Sequence, residues 1–514
     1  MRKTFRRIAC SFLADAMLVP SFQLPVAATE PESQAESEEY KIYPTPQSIV
    51  YTTGTTDIST DVNVVYSTGI DQYTKDHVKD VFALLGDDVT LSESDAAAEG
   101  RTSLLVGIKG EESPAADYFE THMISAADLF SEPDSYALEI NNGTIAILGV
   151  STDAAFYGLT SLKHIFQQVE NREVRNLRIE DFADVKTRGF IEGYYGNPWS
   201  HEDRKDLMTF GGDYKLNGYF YAPKDDPKHN SKWRELYTEE ELQKHGELAE
   251  AGNRSKCYYI YALHPFMHNA VRFDSNYQSD LQIIKDKFDQ MMSVGVKQFA
   301  ILGDDAAVPS NNPQHYVTLM TDLTEWIKTK QDQYPGLKSD MIFCLADYMG
   351  NGSSKEMQTL KQLPDSVSII QTGGRIWGKV GPSFNDPFYE KMGRPAFMWI
   401  NWPCSDNTKD GLIMGGAEAV LKPNTNRDTV NGIVRNPMQQ SELSKQGLFT
   451  NADYAWNIWS NADHYTQVWN DSFSYIDHGT HEETAGSNAY RELSKHMKNS
   501  RQIGNADRKN SVRN

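Results

Sequence analysis

Cysteine is scarce in this 514-residue chain, which has four: Cys10, Cys257, Cys344 and Cys404. They are too few and too scattered for a disulfide framework or a zinc site. The last three fall in or beside strand-like runs, where a thiol packs as a small hydrophobe. Positive charge is also in short supply, with 50 Lys and Arg against 71 Asp and Glu, a formal charge of -21. Phosphate binding needs a basic surface, so nucleic acid is excluded as the expected partner. The same balance disfavours capture of a polyanion such as hyaluronan, except through a local basic groove. Beyond the N-terminus, no apolar run approaches the ~20 residues that span a bilayer, so no membrane span is expected.

Aromatic residues, by contrast, are plentiful (9 Trp, 26 Tyr, 22 Phe), as sugar-stacking surfaces require, although core packing uses them too. The length allows two or three domains. Arg2, Lys3, Arg6 and Arg7 precede an apolar stretch, interrupted by Asp15, that runs to Val26-Ala27-Ala28. This pattern predicts a secretory signal peptide over residues 1–28 and an exported, soluble protein. Residues 29–39 are polar and acidic and read as a linker. Residues 40–184 mix strand-like runs (63–66, 103–108, 136–140, 144–148) with an amphipathic helix over 153–168, and Asn141-Asn142-Gly143 signals a hairpin. That is an α+β accessory domain.

From residue 185 the rhythm changes. Strand-like runs at 188–192, 218–221, 257–262, 298–302, 341–344, 368–370, 396–400 and 432–434 alternate with helical stretches. Two helices open with capping boxes, Ser200-x-x-Asp203 and Thr238-x-x-Glu241. This pattern over residues 185–440 predicts an α/β fold, a (β/α)8 TIM barrel preceded by the small α+β domain. Residues 441–514 read as a helical C-terminal segment with a polar end.

The fourth run of the barrel, Phe299-Ala300-Ile301-Leu302-Gly303, stops at Asp304-Asp305. Barrel enzymes place their chemistry at strand C-termini. Neighbouring strand residues face opposite ways, so the two acids converge only where the strand has ended or bulged, which Gly303 permits. Two carboxylates held close resist joint ionisation, so one is suited to act as an acid, as glycoside hydrolysis requires. Read alone, an Asp-Asp pair is more often a cap or a solvated surface pair, and Asp87-Asp88 and Asp225-Asp226 offer the same pattern. A cation would also take carboxylates. No Asp-x-Asp-x-Asp-Gly loop accompanies the pair, and the expected site has neither metal nor cofactor. The other strand-like runs deliver Gly193-Tyr194-Tyr195, Lys224, His264, Tyr348, Thr372, Asn401 through Asp406, and Asn436 to the same face. Together they would form a hydroxyl-rich pocket.

The segments Glu192-Gly193-Tyr194-Tyr195-Gly196-Asn197-Pro198-Trp199-Ser200, Tyr221-Ala222-Pro223-Lys224-Asp225-Asp226, Asp304-Asp305, Trp399-Ile400-Asn401-Trp402-Pro403-Cys404-Ser405-Asp406 and Asn436-Pro437-Met438 together resemble glycoside hydrolase family 84. This is the β-N-acetylglucosaminidase family that includes O-GlcNAcases and a bacterial branch labelled hyaluronidase. The opening Lys41-Ile42-Tyr43-Pro44-Thr45-Pro46-Gln47 is similar to the start of the accessory domain that precedes such barrels. The resemblance implies a retaining, substrate-assisted mechanism, in which the sugar's own 2-acetamido oxygen attacks the anomeric carbon to give an oxazoline. Asp304 would orient and polarise the acetamido N–H, and Asp305 would be the general acid and then the base. Tyr348 and Trp399 would line the acetamide pocket, with the Tyr348 hydroxyl donating to the attacking oxygen. Gly193, Lys224, Asn401, Asp406 and Asn436 would hold ring hydroxyls, and Tyr195 would shape the wall.

The walls depart from the family pattern. Gly303 stands where an aromatic is usual and Ala306 where a larger aliphatic is. Leu345-Ala346-Asp347 replaces Pro-Thr-Glu, and Gln371 replaces a Trp. The leading expectation is a secreted exo-β-N-acetylhexosaminidase acting on glycans of glycoproteins, mucins or glycosaminoglycans. An endo-acting hyaluronidase and a catalytically silent glycan-binding protein are the alternatives.

Overall fold

The computed structural model describes residues 39–122, 124, 128–406 and 411–498. The expected signal peptide, nearly all of the linker, Cys10 and the polar C-terminal end lie outside the described residues.

Seven strands form an N-terminal sheet: β1 (Ser48–Asp57), β2 (Asp61–Tyr66), β3 (Thr90–Glu93), β4 (Ser103–Ile108), β5 (Tyr136–Asn141), β6 (Thr144–Gly149) and β7 (Glu173–Asp181), in the order β1-β7-β5-β6-β4-β2-β3. Period-two alternation gives the sheet two apolar faces. Leu104, Val106, Ile145 and Ile147 pack with Val78, Val81, Leu159 and Leu162 of the helices Gln72–Ala83 and Thr152–Phe166. Leu105, Ala146 and Leu148 face the other way, onto Ala115 and Phe119 of the helix Pro114–Thr121. The β5–β6 hairpin turns through Asn142 and Gly143 with φ of 47° and 78°. These left-handed values at both central positions match the twist of the flanking strands, and Asn-Gly tolerates them best.

Eight parallel strands then close a barrel: β8 (Thr187–Ile191), β9 (Gly218–Tyr221), β10 (Tyr258–Leu263), β11 (Gln298–Ile301), β12 (Met341–Cys344), β13 (Val367–Gln371), β14 (Ala396–Ile400) and β15 (Val430–Arg435). Their interior is filled by Ile191, Phe220, Ile260, Ala300, Ile342, Ile370, Phe397 and Val434. The alternate residues, such as Phe190, Tyr219, Phe299 and Phe343, join the larger core under the surrounding helices. Burial on both faces explains why these strands read as continuous apolar runs. Both capping boxes form, with the Ser200 and Thr238 hydroxyls accepting from Asp203 N and Glu241 N and the acids returning the bond. No helix among the described residues is long and apolar enough to cross a membrane.

The C-terminal helix Ser441–Trp456 is buried along most of its length. Asn451 Nδ2 donates to the carbonyls of Gly189 and Ile433 at 3.3 and 3.4 Å, tying the helix to β8 and β15. Its last residue, Trp456, enters the core of the N-terminal sheet. There Trp456 Nε1 donates to Asp181 Oδ1 at 2.8 Å, while Lys215 Nζ reaches Asp181 Oδ2 at 3.1 Å and the Tyr136 hydroxyl donates to it at 2.6 Å. Lys215 and Asp181 side chains are fully buried. Removing one partner of such a pair strands the other charge. Asp181→Asn is therefore expected to cost about 3–5 kcal/mol, read as a lower denaturation midpoint, with a smaller loss when Lys215→Met accompanies it.

Candidate active site

The two acids leave the barrel where β11 ends. Gly303 keeps an ordinary backbone conformation, and its value lies in close approach. A Cβ there would stand 2.9 Å from the Cys344 carbonyl oxygen and 3.3 Å from the Phe266 ring, so the Phe266 ring occupies the space beside it. The chain turns two residues after the glycine, at Asp305, whose φ of 56° is left-handed. A non-glycine residue in that region stores strain that the surroundings must hold, and such strain gathers at functional sites.

That turn separates the two carboxylates. Asp304 is 8% exposed, and its Oδ1 is buried with no hydrogen-bond partner among the described residues. His264, following β10, fixes the backbone here. Its Nδ1 accepts from Met267 N at 3.3 Å, leaving Nε2–H to donate to the Asp304 carbonyl at 2.7 Å. Asp305 stands exposed at the rim. The Tyr348 hydroxyl donates to its Oδ1 at 2.9 Å and the Tyr195 hydroxyl to its Oδ2 at 3.2 Å. Burial, reinforced by Asp305, pushes Tyr195 up to about 12 and raises Tyr348 further, so both phenols remain donors.

The floor and far wall come from β8, β14 and β15. Asn401 Oδ1 accepts from Trp399 Nε1 and from Asn436 Nδ2, both at 2.9 Å, and Asn401 Nδ2 donates to the Ile376 carbonyl at 2.8 Å. Asn436 Oδ1 accepts from Gly193 N at 3.2 Å, and Asp406 Oδ1 from Tyr195 N at 2.7 Å. Lys224 Nζ lies 4.8 Å from the centre of the Tyr195 ring, in cation–π contact. Behind the wall, buried Glu192 takes two bonds from Arg204, at 2.8 and 2.9 Å, and one from Trp199 N, fixing the loop after β8. Burial raises the Glu192 carboxyl above its ordinary range, and Arg204 opposes the rise.

These groups enclose a cavity of about 430 Å³, within the range of small-ligand sites. Gly193, Tyr195, Lys224, Asp304, Asp305, Tyr348, Trp399, Asn401, Asp406 and Asn436 all line it. So do Cys344, Thr372, Ile376 and Trp377. Cys344 reads in the sequence as a core thiol, and its position as the last residue of β12 is the only signal that it reaches the floor. Ile376 and Trp377 sit in a glycine-rich loop whose path has no periodic pattern to read. Among the described residues, no group of three or more His, Cys, Asp or Glu is placed to hold a metal ion.

Gly193 touches the wall directly. A Cβ added there would lie 2.5 and 2.9 Å from Cζ2 and Cη2 of Trp399, an aromatic ring held by Asn401. Gly193→Ala is expected to displace the ring and lower kcat/KM by about 10–100-fold while the far-UV spectrum stays unchanged.

A family model described as beta-N-acetylglucosaminidase matches residues 188–494. The chain belongs to glycoside hydrolase family 84. A second model, domain 2 of glycosyl hydrolase family 20, matches residues 39–182, the sheet domain in front of the family 84 barrel. The protein O-GlcNAcases of Rattus norvegicus and Mus musculus are each 28% identical to it over 282 residues, which is 52% of this chain. The match spans 29% of the length of those relatives. A solved structure described as CpGH84D is 40% identical with a TM-score of 0.83, over 90% of this chain and 75% of its own. Another, CpGH84B, is 25% identical with a TM-score of 0.77, over 90% of this chain and 78% of its own.

Proposed function

We propose that the protein is an exo-acting β-N-acetylhexosaminidase that removes terminal β-linked N-acetylglucosamine by substrate-assisted, retaining hydrolysis. The observation that carries this reading is the contrast between the two acids: Asp304 offers a buried acceptor oxygen with no hydrogen-bond partner among the described residues, His264 Nε2 lying 3.6 Å away, and Asp305 stands at the rim among hydroxyl donors. A buried unpaired acceptor is costly, so a ligand N–H that reaches Asp304 gains a strong, charge-assisted bond. The substrate's acetamido N–H is such a donor. With it held, the acetamido oxygen attacks C1 as the glycosidic C–O bond breaks, and Asp305 passes its proton to the leaving oxygen. The oxazoline, whose N–H proton Asp304 takes as the ring closes, then opens as water attacks C1, Asp305 takes the water's proton and Asp304 returns its proton to the nitrogen, so the β configuration is retained. Orientation of the internal nucleophile is what the rigid pocket contributes.

Tyr348, whose hydroxyl rests on Asp305, serves the attacking oxygen in this scheme once the sugar is bound. Tyr348→Phe is expected to reduce kcat by about 10–100-fold with a smaller change in KM, measured on an aryl N-acetylglucosaminide.

Exo action is the reading the far wall supports, since Lys224, Asn401, Asp406 and Asn436 line the cavity and would close on the hydroxyls of a terminal ring. The acidic balance favours glycans of glycoproteins or mucins over polyanionic hyaluronan. The substrate in the name of the mammalian relatives, O-linked N-acetylglucosamine, belongs to this class. Export is proposed from the basic and apolar pattern of residues 1–28. Product analysis by proton NMR tests the function. Free monosaccharide released first in the β form supports it. Internal fragments from long hyaluronan chains would replace it with the endo reading, and glycan binding without turnover with the silent one.

A further inference from the structure

Among the described residues, the fully buried Arg and Lys side chains have acceptors, with one exception. Arg188, fully buried, donates to the carbonyls of Lys215, Val185 and Lys186 and to Asp134. Lys215 has Asp181, and Lys256 has Asp71 and Asp153. Arg435, the last residue of β15, is 0% exposed, and its Nε, Nη1 and Nη2 are all buried with no hydrogen-bond partner among the described residues. Strand alternation turns it away from the sugar cavity, which Asn436 lines, toward the core that holds Ile433. Burial lowers the guanidinium to about 9, with Tyr454 and Tyr465 opposing the fall, so it is a cation at neutral pH. The Tyr465 hydroxyl, within electrostatic reach of Arg435, is itself buried and makes no hydrogen bond of ordinary geometry among the described residues, and burial, followed by the Glu418 carboxylate, raises its pKa.

A buried charge that is neither paired nor hydrogen-bonded is strongly destabilising, and guanidinium does not escape by losing its proton. Five N–H groups and a phenol provide donors for one negative charge, and full burial limits the partner to a small ion. We propose that Arg435 and the Tyr465 hydroxyl bind a small inorganic monoanion, a halide, on the outer side of β15 behind the sugar cavity. The ion would complete the strand end from which Asn436 projects.

The test is thermal unfolding of the full chain at pH 7 and fixed ionic strength, with sodium chloride or bromide replacing sodium gluconate, for wild type and Arg435→Met. Because the ion binds only the folded state, the wild-type folding constant is expected to rise about tenfold for each tenfold increase in halide above the dissociation constant. Arg435→Met is expected to show no such dependence. Equal midpoints in chloride and gluconate overturn the proposal and point to neutralisation from within the chain, with Glu418, which acts on Tyr465, one source. Halide dependence that survives Arg435→Met overturns it too. Should Arg435→Met fail to fold, chloride-35 line broadening by wild type decides, since broadening that bromide displaces supports the site and its absence rejects it. The readout is stability, so the result stands whatever sugar the cavity takes.

Discussion

Asp305→Asn is expected to lower kcat/KM toward substrates with alkyl or glycosyl leaving groups by about 10²–10⁴-fold. The amide keeps the shape of the carboxylate, its oxygen accepting from one of the hydroxyls of Tyr195 and Tyr348 and its NH2 donating to the other, so the side chain stays at the rim. What it lacks is a proton to deliver. The deficit should shrink as the leaving group improves, because a nitrophenolate departs with little proton assistance. A set of aryl N-acetylglucosaminides of graded phenol acidity checks this, with a steep dependence of rate on leaving-group acidity in the variant and a shallow one in wild type. The left-handed turn at Asp305 stays in place, since Asn tolerates that conformation.

Asp304→Asn should fail in a different way. Here the loss is the charge that faces the acetamido N–H, and with it the orientation of the internal nucleophile. Losing one charge-assisted contact made most strongly in the transition state costs about 10²–10³-fold in kcat. The same factor should apply to good and poor leaving groups alike, since the nucleophile is weakened and not the departure. The two variants thus separate by their response to the leaving group. His264 supports Asp304 through its backbone carbonyl, a bond that the substitution leaves in place, so the variant reports on the side chain alone.

The barrel was legible because all eight of its strands are buried on both faces and read as short apolar runs, from Arg188-Gly189-Phe190-Ile191 to Gly432-Ile433-Val434. The hairpin at Asn142-Gly143 was legible because few residues adopt its two left-handed positions. Strand β1 was not, since it lies at a sheet edge with most side chains in solvent and so carries no alternating pattern. Nothing in the helical pattern of Ser441–Trp456 shows that its last residue joins the core of a sheet more than 250 positions earlier.

At the site, residue types at strand ends pointed to the cavity, and the motifs of family 84 singled out ten of its lining residues. Geometry that depends on distant contacts stayed hidden. Gly303 reads as the hinge, yet the turn falls on Asp305 and the glycine makes room for Phe266 and the Cys344 carbonyl. The Tyr348 hydroxyl reads as a partner for substrate, and in the structure it rests on Asp305. The unpartnered guanidinium of Arg435 becomes visible only when the acceptors around a single side chain are counted.

The most direct test of the mechanism compares two aryl glycosides that differ only at C2, the 2-acetamido-2-deoxy-β-glucoside and the plain β-glucoside, with the same leaving group. If the acetamido oxygen is the nucleophile and Asp304 its positioning partner, only the acetamido sugar is hydrolysed at an appreciable rate, and Asp304→Asn narrows that preference as it slows that sugar by about 10²–10³-fold. Comparable hydrolysis of the plain glucoside would contradict the account and require a nucleophile supplied by the protein.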